Sequence, residues 1–179
     1  MTEETVAINP VTEADLPELN RLVNDPVVSR YLDLVPPVSL GRTLDFFHYM
    51  RHEEGAWLAI RVDDTLAGTV GLIPGDPWSR LGHSASLFVY LDSAWWGRGL
   101  AAEGVRACIE EARRRGIVRL EVLVVDENER SRRLFLRNGF QVEGVRRCGF
   151  RGDDRFHDLL TLALVLDTPF TSPSPRDRN

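Results

Sequence analysis

Between Asp92 and Glu103 the chain reads DSAWWGRGLAAE, a glycine-rich turn that joins an apolar run to a helical one. Glycines allow a backbone to approach a ligand closely, and the free N–H groups at a helix start, with the positive end of its dipole, favour phosphate. The spacing GxGxxA over 97 to 102 also fits a dinucleotide fingerprint. In that fold the turn follows its strand tightly and opens a series of βαβ units, whereas here about five residues intervene and an antiparallel meander comes first. Further on, Asn128 can cap a helix with Ser131 answering it, which places an amide and a hydroxyl in one first turn. His48 and His52 lie four apart on a helical stretch, a spacing a metal can use, but no third ligand accompanies them and no metal is expected. Cys108 and Cys148 are too few for a disulfide framework and read as reduced thiols.

Charge narrows the ligand. The 179 residues carry 22 basic and 27 acidic side chains, a formal charge of -5, and every basic residue is arginine. An acidic balance argues against a nucleic-acid partner, which needs a basic face. The polarity is local, however: residues 95 to 140 hold ten Arg and seven acids, and the remainder twelve Arg and twenty acids. Arg98, Arg130, Arg132, Arg133 and Arg137 can therefore meet an anion, while the acidic remainder can attract a cationic one. No apolar run is long enough for a membrane span and the start MTEETVAINP has no signal-peptide character, so a cytoplasmic location and no membrane partner are expected.

The elements that must position these residues follow from periodicity. VAI at 6 to 8 reads as a strand; Thr12 caps a helix over 13 to 23, a short helical piece follows near 27 to 32, and Ser39 opens a helix over 40 to 52. Apolar and β-branched runs at 56 to 62, 66 to 73 and 84 to 91, joined by short turns, predict an antiparallel meander. A helix over 100 to 115 and a strand over 118 to 125 complete a βαβ crossover, which makes strands 84 to 91 and 118 to 125 parallel. A helix over 129 to 138 and a final hairpin close the domain, residues 1 to 167, and the Pro- and Ser-rich tail, 168 to 179, is expected to be disordered. The class is α+β, built on one mixed, mostly antiparallel twisted sheet with a central parallel pair and helices on both faces.

WGRGLAAEG resembles the cofactor motif of the GNAT superfamily of acyl-CoA-dependent N-acetyltransferases, with Gly99 and Ala101 at its last two positions and Trp96 where Gln or Arg is usual. The Trp form is similar to that of the branch acetylating N-termini of ribosomal proteins. Asn128 and Ser131, then Asn138-Gly139-Phe140, Glu143-Gly144 and Asp158, resemble that branch's later blocks, and INPVTEADLPEL resembles its opening. The resemblance implies a three-layer GNAT-like fold with acetyl-CoA lying between two splayed parallel strands. It implies main-chain contacts from Phe88, Val89, Tyr90 and Leu91 to the pantetheine and thioester. Pyrophosphate would meet the N–H groups of Gly97, Arg98, Gly99, Leu100 and Ala101, and Asn128 would bond the pantetheine or the new amide.

Direct transfer in a ternary complex needs a neutral amine, a polarised thioester carbonyl and a proton for the leaving thiolate. Main-chain N–H groups around Val89 and Tyr90 can polarise the carbonyl. The family's usual Glu and Tyr are replaced by Ser86 and Phe135, which leaves Ser131 as candidate acid and His83, Asp76 or, through water, Glu103 as candidate bases. Neutralising a lysine amine at pH 7 costs about 4.6 kcal/mol, an α-amine only about 1 to 1.4. A site without a strong base therefore favours a protein or peptide N-terminus or a small-molecule amine of low pKa, with Trp57, Trp78 and the PGDPWSRLG loop as candidate walls of its groove. A polyamine or antibiotic acetyltransferase, or a non-catalytic CoA-binding regulatory module, is the alternative, and the chain can act as monomer or homodimer. Without lysine, self-acetylation is confined to the N-terminal amine.

Overall fold

The computed structural model describes residues 4 to 166; the tail expected to be disordered lies outside them. The strands are β1 (Val6–Pro10), β2 (Ala56–Val62), β3 (Thr65–Pro74), β4 (Ser84–Leu91), β5 (Arg119–Val125), β6 (Gln141–Arg151) and β7 (Phe156–Val165). The helices are α1 (Leu16–Asn24), α2 (Pro26–Ser29), α3 (Leu40–His52), α4 (Leu100–Arg114) and α5 (Glu129–Arg137). All seven strands form one sheet in the order β1-β2-β3-β4-β5-β7-β6. Every neighbouring pair is antiparallel except β4 and β5. This is the mixed α+β sheet that the crossover predicts.

Period-2 alternation divides the layers. From β4, Ala85, Leu87 and Leu91 enter a core with Val105, Cys108 and Ala112 of α4 and with Phe135 of α5. Phe88 and Tyr90, on the opposite face, pack with a second core that holds Leu16 and Leu19 of α1 and Phe47 and Met50 of α3. The first helix begins later than its periodicity predicts, because a 3-10 turn, Glu13–Asp15, precedes it. There the Asp15 carboxylate accepts the Thr12 N–H (2.8 Å) and hydroxyl (3.0 Å) and pairs with Arg61 of β2, fastening the start of α1 to the sheet. Burial raises the Asp15 pKa, but the bonds from Thr12 and Arg61 outweigh it and hold the carboxyl below the ordinary range.

β4 and β5 are bridged over only three residue pairs, Ser84 with Arg119, Ala85 with Leu120 and Ser86 with Glu121. Beyond Ser86 the strands part. At the far margin, β6 is paired on one side only, and every one of its residues except Phe150 is exposed.

Candidate functional site

The parting of β4 from β5 opens a cleft of about 1850 Å3. Its lining comes from both sheet faces, so it runs through the sheet: Leu100 to Ala102 of α4 and Asn128, Ser131 and Phe135 of α5 on one side, and Tyr31, Arg42, Phe46 and Trp57 on the other.

Strand register decides which main-chain groups face it. Gly75 donates to the Ser84 carbonyl (2.8 Å) and Asp92 to the Ala67 carbonyl (2.9 Å), so the even-numbered residues of β4 exchange bonds with β3. Bonding alternates along an antiparallel strand, so Leu87, Val89 and Leu91 turn their main-chain groups toward the gap. The free donor in mid-strand is therefore the Val89 N–H; that of Tyr90 points at Thr69. The expectation that both supply N–H groups is thus narrowed to Val89 by ladder alternation.

The loop after β4 presents a run of donors. Gly97, Arg98, Gly99, Leu100 and Ala101 donate to no acceptor among the described residues, since the helix bonds begin with Ala102 donating to Gly99 at 2.9 Å. Gly97 and Gly99 have φ of +81° and +83°, and a Cβ built on either meets nothing within 4 Å. Glycine is required there for backbone conformation, and the space in front of it is open. Two tryptophans brace this loop. The indole N–H of Trp96 donates to the Leu91 carbonyl at 3.0 Å while its ring carries the Arg130 guanidinium at 3.8 Å. Trp95 carries the guanidinium of Arg98 at 4.7 Å. Trp96, the departure from the Gln or Arg of the motif, thus ties the loop to both β4 and α5.

Arg98 pairs with Glu4 (3.3 Å) and is absent from the cleft lining. Arg130, Arg133 and Arg137 line the cleft; Arg132 does not. Asn128 caps α5, its Oδ1 accepting the Ser131 N–H at 3.1 Å. Its Nδ2 and the Ser131 hydroxyl have no partner among the described residues, and both residues line the cleft. Phe135, one turn beyond Ser131, is buried edge-on to Phe140 at 5.2 Å, a core role that explains the missing hydroxyl. Donors in a row, an open glycine turn and three arginines fit the phosphates and pantetheine of coenzyme A.

The other expected residues lie elsewhere. His83 is exposed at the closed end of the parallel pair, its Nδ1 within 3.0 Å of the Arg80 carbonyl, and its main-chain oxygen accepts from Val118. It does not line the cleft, nor do Asp76 or Glu103. Trp78 is 95% exposed on the β3–β4 loop and is no part of the groove, whereas Trp57 is both core and cleft lining. No group of three or more potential metal ligands occurs among the described residues, so His48 and His52 gain no third partner. No helix among them is long and apolar enough to cross a membrane.

The wall facing α1 to α3 is apolar and aromatic. Phe46 lies 4.9 Å from Trp57 and 5.8 Å from Phe88, and Phe88 6.5 Å from Tyr90, ring centre to ring centre. Burial raises the Tyr90 pKa, which keeps its phenol protonated. The charged residues around this wall are Arg30, Arg42 and Arg146, with Asp33 and Glu121 opposing them. The acidic excess outside 95 to 140 is therefore not concentrated at this mouth, contrary to its expected pull on a cationic acceptor. Arg42 and Arg146 carry no local motif that marks them for the site; a lone acid in the apolar run RLEVLVV does mark Glu121.

Known proteins share this architecture. The sequence model of the acetyltransferase (GNAT) domain matches residues 5–141. A ribosomal-protein-alanine N-acetyltransferase from Brucella melitensis superposes with a TM-score of 0.82 at 27% identity, over 89% of this chain and 99% of its own. An N-acetyltransferase from Staphylococcus aureus Mu50 gives 0.84 at 19% identity, over 91% and 99%. The spermidine N-acetyltransferase of Vibrio cholerae, solved with CoA and spermine, gives 0.80 at 18%, over 89% and 95%. No curated protein matches.

Proposed function

Because the chain belongs to the GNAT acetyltransferase family and is an acetyl-CoA-dependent N-acetyltransferase, we propose that its acceptor is a protein or peptide N-terminal α-amine and that the cleft between β4 and β5 is where transfer occurs. The observation that carries the choice of acceptor is the charge of the far wall. A polyamine holds several cationic centres and needs several carboxylates, whereas Arg30, Arg42 and Arg146 stand around an aromatic box with Asp33 and Glu121 as the acids. One amine on an apolar body fits that wall better. Similarity to the Brucella melitensis enzyme supports the same reading.

Acetyl-CoA supplies the acyl group as a thioester and leaves as a thiol. In our reading the N–H groups of Gly97 to Ala101 hold the pyrophosphate, with Arg130, Arg133 and Arg137 beside them. Val89 and Leu91 border the pantetheine arm through the main chain, and the Asn128 Nδ2 donates to its amide. The Val89 N–H is aimed at the carbonyl oxygen where negative charge develops. The Ser131 hydroxyl is placed to give a proton to the departing sulfur.

The test is thiol release from acetyl-CoA with N-terminally free peptides, polyamines and aminoglycosides side by side. Peptides are expected to react fastest, and Arg42→Glu should improve polyamines at their expense. Faster reaction with polyamines or aminoglycosides would refute the choice of acceptor. Tight cofactor binding with no turnover on any amine would leave a regulatory module instead.

A further inference from the structure

An ammonium group must lose a proton before it can attack, and no histidine lines the cleft. The carboxylates that do are Asp33, Glu121, Glu127 and Glu129. Glu129 sits in the first turn of α5, paired with Arg132 and Arg133 on the phosphate side, and Glu127 is paired with Arg155. Asp33 belongs to the segment after α2. Glu121 alone comes from a strand that borders the opening.

We propose that the Glu121 carboxylate is the general base of this acetyl transfer. Ser86 and Glu121 are the last bridged pair before β4 and β5 part. Residues directly across a ladder point to the same face of the sheet, and neighbouring strands lie about 4.8 Å apart. Ser86 shares its face with Phe88 and Tyr90, the face of the aromatic box, so the Glu121 side chain projects toward the acceptor wall. The carboxylate that the resemblance expects at position 86 is thus present one strand over.

Its surroundings suit the task. Glu121 Oε1 accepts from Arg119 Nε at 2.8 Å, and Arg119 also pairs with Glu143 of β6, so its charge is divided between two carboxylates. Glu121 Oε2 has no partner among the described residues, and the side chain is 39% exposed, enough for water to reach it. One proton passes from the ammonium through a water to the carboxylate and then to bulk solvent, leaving a lone pair on nitrogen. The inference rests on the transfer reaction and the cleft proposed above and not on which amine is the acceptor.

The test is the pH dependence of kcat/KM for the amine that the wild-type enzyme acetylates fastest, so failure of peptide acceptors leaves it intact. Glu121→Gln should lower the rate at pH 7 by about 100-fold, the low end for a positioned base. The deficit should shrink as pH rises toward the pKa of the amine, with acetyl-CoA binding by tryptophan fluorescence unchanged. Ser86→Glu placed in that variant should restore at least about tenfold, because the carboxylate returns to the same face. Glu143→Gln, which breaks the same arginine network but leaves the carboxylate, should show no such pH-dependent deficit, and Asp33→Asn, which removes the other acid of the acceptor wall, should alter the KM for the amine without producing it. Wild-type rates in Glu121→Gln, or an equal loss at every pH shared by Glu143→Gln, would overturn the assignment.

Discussion

On the α4 side the cleft is walled by backbone: the N–H groups of Gly97, Gly99, Leu100 and Ala101 and, across from them, the N–H of Val89. On the α3 side it is walled by side chains gathered from distant parts of the chain, Tyr31, Arg42, Phe46, Trp57, Phe88 and Arg146. The first wall tolerates most substitutions, because its donors belong to every residue type but proline; what it needs is a conformation, supplied by two glycines at positive φ. The second depends on residue identity and on helices being fastened to the sheet. In the function proposed above, a cofactor common to many enzymes is read by the wall made of backbone, and an acceptor that differs between them meets the wall made of side chains.

That division can be broken at several points. The largest effect is expected where the side-chain wall is fastened. Asp15→Asn, which leaves Arg61 without its carboxylate, should cost about 3 kcal/mol in urea unfolding, the low end for breaking a buried pair. Because the Asp15 carboxyl is held below its ordinary range, its contribution is fully present above the unfolded-state pKa and is lost as pH falls through the lower native value. Wild-type stability should therefore fall in acid more steeply than that of Asp15→Asn. Ser131→Ala, between the two walls, should lower kcat by about 100-fold with little change in acetyl-CoA binding; full activity would remove its role as acid. Gly99→Val places a β-branched residue at positive φ, a strain of at least about 1 to 2 kcal/mol, and should raise the KM for acetyl-CoA roughly tenfold while sparing that for the amine. An unchanged KM would mean that the loop does not hold the cofactor. The smallest effect is expected at His83: replacement by Ala should leave kcat and both KM values within about twofold, as for a surface residue, and a marked loss would move the base to the closed end of the strands.

The same division explains what the sequence discloses. Element order, the parallel pair and the glycine turn are legible because each rests on local periodicity or on conformations that glycine alone adopts freely. Asn128 and Ser131 are legible as a cap because the bond between them spans three residues. His83 and Trp78 mislead because nearness along the chain to strand 84 to 91 is not nearness to the end of that strand that borders the cleft. Eight residues of extended chain separate His83 from Leu91, roughly 25 Å. The restriction of the free N–H to Val89 depends on the register of β3 against β4, which no composition reveals. Arg42 and Arg146 meet the same cleft only because α3 and β6 fold toward it from opposite ends of the chain, and Glu121 gains its direction from Ser86 across a ladder.

The margin formed by β6 has a consequence for how the protein behaves in company. An eleven-residue strand paired along one side only offers a ladder of unsatisfied groups on which a foreign strand can grow. Here that ladder is interrupted twice, between Val142 and Gly144 and between Arg146 and Phe150, where Cys148 takes a positive φ of 52° and its N–H turns to the Asp158 carboxylate at 2.8 Å. Arg146, Arg147 and Arg151 add like charge along the same edge. Irregular spacing and mutual repulsion together keep the strand from serving as a template for aggregation. The second of these safeguards is electrostatic and weakens as salt is added.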